Sequence, residues 1–119
     1  LEVAGNPPAF VKDSLGNVKG GIRTSYVETP IAILEGEGQP QPDFSEIEEI
    51  NLDSIDFCLL SGTTALFDAA TLGSLYEDNA DYVEKLNAST GDAVSKGFLL
   101  LEDAQLIKDY AASTDIFAP

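Results

Sequence analysis

The sequence predicts an α/β fold in which an extended, hairpin-forming segment is followed by about three helices. The early part of the chain holds short runs of β-branched and aromatic residues separated by turn-forming Gly, Asn and Pro. The last part carries apolar residues at helical spacing, between residues that typically start and stop helices. We divide the chain into an extended β/turn segment (1–34), an acidic loop excursion (35–60) and a helical segment (61–119).

The first segment is predicted to run extended around two bends. Residues 13–17 (Asp-Ser-Leu-Gly-Asn) are typical of a turn because Gly and Asn tolerate a positive φ. Gly20 and Gly21 allow a second bend. Residues 26–27 and 31–34 favour strands, and Pro30 fits a strand start or a sheet edge because it lacks a backbone N–H.

The acidic excursion contains closely spaced Gly and Pro residues and an excess of Asp and Glu. Residues 45–48 (Ser-Glu-Ile-Glu) fit a capping box, which predicts one short helical turn. The charge favours a solvated acidic loop over a cation or partner site. Cys58 lies in the apolar run 57–60, so we interpret it as a small buried hydrophobic residue. It is the single cysteine, and only another chain could supply a disulfide partner.

Three helices are predicted after a loop at residues 61–64. The first is capped by Asp68, with Phe67 contacting Leu72, and ends near Tyr76. The second is capped by Asn79 and stops at Gly97. Its predicted apolar face contains Val83, Leu86, Thr90 and Val94.

Charged residues support the second and third helices. Asp81 with Lys85, and Asp92 with Lys96, stand four residues apart in the favourable order. Gly91 costs about 1 kcal/mol inside the second helix and is a candidate kink. The connector 98–101 leads to a third helix with acidic residues in its first turn. Its predicted apolar face contains Ile107, Tyr110 and Ala111.

The charge balance excludes several classes of partner. The chain carries 21 acidic and 6 basic residues, a formal net charge of −15, with Arg23 as its one arginine. Nucleic acid is not an expected partner, because phosphate neutralisation needs clustered Lys and Arg. Membrane insertion is not expected either, because no apolar run approaches the ~18 residues of a spanning helix. The acidity fits either a salty medium, where counterions screen repulsion, or a basic partner.

No catalytic constellation can be completed from these residues. The chain has no histidine, so neither a Ser-His-Asp nor a Cys-His arrangement can form. The candidate nucleophiles Cys58, Ser61, Thr63 and Thr64 lack a base of suitable pKa. One Cys without His cannot build a typical zinc site. We therefore predict a non-catalytic chain without catalytic residues, cofactor or metal site.

Two further features concern processing. The chain starts at Leu1 and contains no methionine, so we expect a processed product or a piece of a longer protein. Residues 87–89 (Asn-Ala-Ser) form a sequon, which makes Asn87 a candidate glycosylation site. The sequence leaves the localisation unknown, although the sequon favours a secreted or extracellular protein.

Two stretches of the chain resemble the alpha/beta hydrolase domain family. Residues 13–24 (DSLGNVKGGIRT) and 27–32 (VETPIA) match its progression D-x-x-G-N, G-G/A-I-R and V-x-x-P-x-A. The run 62–68, Tyr76, Tyr82 and the run 97–104 (GFLLLEDA) are similar to its closing helical region. Leu66 and Leu101 depart from the pattern, since the family usually has Pro at both positions.

This resemblance implies ester or related hydrolysis by a serine on a doubly wound sheet. The family's serine lies upstream of the matched part, so no triad residue is carried over. The chain is then expected to be the C-terminal portion, bound to a larger N-terminal hydrolase chain of the same precursor. Arg23 is the candidate structural anchor, forming a bidentate salt bridge across that interface or lying exposed. The alternative is an acidic structural or binding protein that keeps the hydrolase scaffold without catalysis.

Overall fold

The computed structural model of the chain describes residues 1–36 and 62–118. The strands of these two ranges are β1 (Val3–Ala4), β2 (Ala9–Phe10), β3 (Ala32–Glu35) and β4 (Thr63–Leu66). The helices are α1 (Ser25–Glu28), α2 (Ala69–Leu75), α3 (Asn79–Ser95) and α4 (Leu101–Ser113). The predicted helical turn at 45–48, Cys58 and Ser61 lie outside the described residues.

The four strands form two separate antiparallel ribbons. β1 pairs with β2, with Val3 opposite Phe10. β3 pairs with β4, with Ala32 opposite Leu66 and Glu35 opposite Thr63. The predicted loop at 61–64 is therefore wrong at its last two residues, which begin β4. The strand depends on a partner about 30 residues earlier in the chain, which local sequence does not reveal.

In residues 1–34 the structure confirms both predicted bends and corrects one predicted strand. Gly16, Gly20 and Gly21 have φ values of 95°, 78° and 72°. Residues 26–27, predicted to be extended, lie instead in α1. The Ser25 side chain is buried there and accepts a 2.8 Å hydrogen bond from the Thr90 hydroxyl of α3. This packing overrides the β-propensity of the two residues that follow.

The helical segment has the three predicted helices, with one cap displaced. Asp68 caps α2 by accepting a 2.8 Å bond from the Thr71 N–H, as predicted. The N-cap of α3 is Asp78 and not Asn79, because the Asp78 carboxylate accepts from the Asp81 N–H at 2.9 Å. A carboxylate there also suits the positive end of the helix dipole.

The ends and faces of α3 and α4 largely follow the predicted pattern. α3 runs unbroken through Gly91, and the chain leaves it at Gly97 with φ 73°. Both predicted ion pairs form, at 2.8 Å for Lys85 with Asp81 and 2.6 Å for Lys96 with Asp92. On α4, Ala104 and Ala111 are buried and Ile107 is half-buried.

The prediction for one residue of the apolar α4 face is wrong. Tyr110 is 62% exposed and does not belong to the core. Tyr110 precedes Ala111 in the chain. The buried side of α4 is the one that carries the small side chains of Ala104 and Ala111.

The described core lies among α2, α3 and α4. Its buried cluster consists of Leu72, Tyr76, Tyr82, Leu86 and Ala111. Many other large apolar side chains stay in solvent. Those at least 66% exposed are Leu1, Ile22, Leu66, Leu100, Leu101 and Leu106. The described residues therefore bury only part of their apolar surface.

Candidate functional site

The best-defined polar site surrounds Arg23, where the chain leaves the Gly20–Gly21 bend and enters α1. The Arg23 Nη1 donates to the Val18 carbonyl at 2.7 Å. Its Nη2 donates to the Asp13 carboxylate at 2.9 Å and to the Val27 carbonyl at 3.1 Å. Its Nε lies 2.8 Å from a Glu28 carboxylate oxygen. One guanidinium thus ties the first turn, the second bend and α1 together.

The Asp13 carboxylate organises the turn that faces this guanidinium. Its Oδ1 accepts hydrogen bonds from the backbone N–H of Leu15 at 3.0 Å and of Asn17 at 2.9 Å. Burial raises the pKa of Asp13, but the hydrogen bonds from Arg23, Asn17 and Leu15 outweigh it and hold the pKa below its ordinary value. Asp13 therefore stays ionised and paired with Arg23 at neutral pH.

Asn17 connects the same turn to β3. Its side chain is 1% exposed. The Nδ2 donates to the Ala32 carbonyl at 3.0 Å, and the Oδ1 accepts from the Leu34 N–H at 2.9 Å. The side-chain amide satisfies two backbone groups as a neighbouring strand would, which fixes the turn against the ribbon.

An open groove of about 730 Å³ lies beside Arg23, between the segment 21–30 and one side of α3. Three of the six basic residues of the chain line it, namely Arg23, Lys85 and Lys96. Glu28 and Asp92 add negative charge. Each lining cation already has a carboxylate partner, so the groove offers paired charges.

Tyr76 and Lys85 both line this groove. The Tyr76 hydroxyl donates to the Pro30 carbonyl at 2.9 Å. Burial, together with nearby Tyr82 and Asp81, raises the pKa of Tyr76 to about 12, so the hydroxyl stays protonated. Lys85 lies 5.4 Å from the centre of the Tyr76 ring and donates to the Leu75 carbonyl at 3.0 Å. These contacts fix the positions of both side chains.

The described side chains do not bring a nucleophile to a base. Thr63 and Thr64 lie on β4, and the hydroxyls of Ser25 and Thr90 bond each other in the interior. In the ranges 1–36 and 62–118, no group of three or more His, Cys, Asp or Glu residues could hold a metal ion.

Asn87, the candidate glycosylation site, lies inside α3. Its Oδ1 is buried and has no hydrogen-bond partner among the described residues. The side chain is thus partly enclosed by the fold, and its modification stays a prediction. No helix in the described part of the chain is long and apolar enough to cross a bilayer.

The sequence singled out Arg23 and the turn 13–17, but it did not predict that they meet. The structure joins them through Asp13 and adds Asn17, Tyr76 and Lys85 to the site. The Asp-x-x-Gly-Asn spacing was a usable signal for the turn. The sequence around Tyr76 does not indicate that its hydroxyl bonds the carbonyl of Pro30, 46 residues earlier.

The chain was compared with known protein families, curated proteins and solved structures. No curated protein and no solved structure matches it significantly. A family model described as alpha/beta hydrolase domain matches residues 1–109, which covers both described ranges except the end of α4 and the segment after it. The match confirms the resemblance drawn from residues 13–32 and 62–104. The chain belongs to the alpha/beta hydrolase domain family.

Proposed function

We propose that this chain is the non-catalytic, C-terminal portion of a processed serine-hydrolase-like protein, bound to a larger N-terminal chain of the same precursor. The larger chain would carry the serine and the histidine and perform ester hydrolysis. The present chain would complete the fold and cover the sheet.

One observation carries the proposal: the chain combines a hydrolase-family sequence with no histidine and with much unburied apolar surface. Without histidine it lacks the usual proton carrier of a serine hydrolase. Leu100 and Leu101 are 69% and 70% exposed, at the start of α4. Large exposed apolar patches are typical of protein interfaces.

A small apolar cavity lies close to these leucines. It has a volume of about 100 Å³ between α1 and the connector that precedes α4. Ile22, Phe98 and Leu99 line it, and Ile22 and Phe98 are also exposed. One apolar side chain of a partner would fit such a cavity, which is how central anchors of interfaces bind.

The test is isolation of the native protein under non-denaturing conditions, followed by intact mass measurement and sequencing of every chain. A second chain bearing a serine nucleophile is expected at equal stoichiometry. A fluorophosphonate should label that chain and not this one. Native material that contains this chain without any second chain, or labelling of this chain itself, would overturn the proposal.

Variants locate the contact once the partner is in hand. Leu100→Ser should weaken the complex without lowering the melting temperature of this chain, because the Leu100 side chain is already in water and serine suits the N-cap position of α4. Ala112→Ser, on an exposed position of α4, is the matched control and should leave binding intact. Equal binding by both variants would remove Leu100 from the interface.

A second function is favoured by the charge. A net charge of −15 on a chain of the alpha/beta hydrolase domain family also fits an acidic structural or binding protein without catalysis. A co-purifying partner that never reacts with the fluorophosphonate would support this function over the first.

A further inference from the structure

The ribbon of β3 and β4 has two edges, and only one is closed. The register places Ile33 opposite Ala65, and the Phe67 N–H donates to the Ile31 carbonyl at 2.9 Å. In an antiparallel ladder, alternate residues direct both backbone groups toward the partner strand. The backbone groups of Ala32 and Leu34 therefore point to the opposite edge, away from β4.

Asn17 closes this β3 edge. Its side-chain amide bonds the Ala32 carbonyl and the Leu34 N–H, the two groups that a further strand would need. Because Asn17 is 1% exposed, the block is built into the interior. An added strand could not reach β3 without displacing it.

The β4 edge has no such block. By the same alternation, Thr64 and Leu66 direct their backbone groups away from β3. None of the described residues bonds those groups. Thr64, Ala65 and Leu66 are exposed, Leu66 at 76%. Natural edge strands are usually protected by Pro, by charge or by a bulge, and residues 63–66 contain no Pro and no charged residue.

We propose that the outer edge of β4 receives an extended strand of the larger chain, and that this strand is flanked by basic residues. The inference rests on the proposed function and adds the contact edge and the chemistry of the partner. Strand addition supplies backbone hydrogen bonds at Thr64 and Leu66 and a neighbour for the exposed Leu66 side chain. It also extends a two-stranded ribbon, which is marginal by itself.

Charge selects a basic strand over a second copy of this chain. Two copies would each bring a net charge of −15, and their repulsion opposes pairing. β4 itself is uncharged, and exposed Asp68 follows it. Lys or Arg beside the added strand would meet a negative field without placing a charge inside the ladder.

The edge can be tested with the full chain and two synthetic peptides, one alternating Lys and Val and one alternating Glu and Val. Residue-resolved hydrogen exchange is the readout. Without peptide, the amides of Thr64 and Leu66 should exchange quickly and that of Ala65 slowly. The Lys/Val peptide should slow Thr64 and Leu66 by about tenfold or more, the effect of one firm hydrogen bond, whereas the Glu/Val peptide should not.

Two variants separate edge pairing from general attraction to an acidic protein. Thr64→Pro removes an outward N–H and leaves the ladder to β3 intact, so the Lys/Val peptide should bind about tenfold more weakly. Thr64→Val keeps the N–H and the β-branch and should bind normally. Circular dichroism of both variants checks that the fold persists.

The contrary outcomes are distinct. Equal peptide binding by the Pro and Val variants, or protection confined to other residues, would overturn the edge assignment. Concentration-dependent protection without peptide would show a second copy on the edge and overturn the choice of occupant. If the native larger chain binds Thr64→Pro as tightly as the unchanged protein, the edge inference fails while the proposed function stands. If the native chain is solitary, the proposed function fails whatever the peptides do.

Discussion

Arg23 and Asn17 determine how the first 36 residues fold back on themselves. Arg23 bonds Asp13 of the turn 13–17 and two backbone carbonyls nearby, and Asn17 of the same turn bonds β3. Arg23 is 20% exposed at its side chain, and its donors meet two carbonyls and two carboxylates. Hydrogen bonds to charged groups in such partly buried sites are stronger than neutral ones.

Removal of the guanidinium should destabilise the chain. We expect Arg23→Gln to lower the free energy of unfolding by about 2–3 kcal/mol, because Asp13 loses its cation and two carbonyls lose a donor. Urea denaturation measures the change. Lys19→Gln is the matched control, since its 3.9 Å pair with Glu2 is exposed and should contribute at most about 0.5 kcal/mol. Equal effects of the two variants would contradict the anchoring role of Arg23.

The lowered pKa of Asp13 predicts an acid-sensitive contribution to stability. A carboxyl group whose pKa is lower in the folded state stabilises the fold above its unfolded pKa. That contribution disappears as the pH falls through the folded pKa. The stability difference between the unchanged protein and Asp13→Asn should therefore be constant above about pH 5 and shrink below about pH 4. Urea midpoints measured across this range test it, and a difference independent of pH would exclude Asp13 as the titrating group.

At this scale the sequence predicted the turn and pointed to Arg23, but not the contacts. The turn is local, because Asp13 bonds backbone groups two and four residues on. The partners of Asn17 on β3 lie 15 and 17 residues away and depend on the ribbon being formed. Spacing alone does not encode such contacts.

Two glycines associated with α3 have opposite structural roles. Gly91 lies in the helix interior, and Gly97 has φ 73° just beyond its end. A Cβ at either position would meet no atom within 4 Å. Any effect of an added methyl group therefore comes from the backbone and not from a clash.

The two alanine variants should change stability in opposite directions. Gly91→Ala should stabilise the chain by about 1 kcal/mol, because alanine loses less backbone entropy in a helix. Gly97→Ala should destabilise it by about 1 kcal/mol, because a left-handed φ disfavours a Cβ. Thermal unfolding of both proteins tests the pair. A stabilising Gly97→Ala would mean that the helix does not end there in solution.

The elements that the sequence predicted correctly carry local signals. α2 has a capping carboxylate, and α3 has paired charges and a stopping glycine. The two elements that were wrongly predicted, α1 and β4, are only four residues long, and distant partners decide their conformation. Ser25 bonds Thr90 across 65 residues, and β4 needs β3. Short elements contain too little local preference to resist such contacts.

The net charge governs the stability of the molecule as a whole. A charge of −15 on 119 residues makes the compact state repel itself, and salt screens that repulsion. Between 0.05 and 1 M NaCl we expect the melting temperature at pH 7 to rise by about 5 °C. Near the isoelectric point of about 4.1 the rise should largely vanish, which is the internal control. A salt effect of equal size at both pH values would show that screening is not its cause.

Because Tyr76 and Tyr82 pack edge to face in the core, tyrosine fluorescence can be used to follow core packing. Their ring centres are 5.2 Å apart and their planes meet at 75°, and both side chains are buried. The chain has four tyrosines and no tryptophan, so tyrosine dominates its near-ultraviolet spectrum. Tyr26 and Tyr110 are 41% and 62% exposed, so a dissolved quencher reaches both. A neutral quencher such as acrylamide, which the charge of −15 does not repel, therefore separates the accessible emission from the shielded emission, and the shielded part follows core packing without any attached dye.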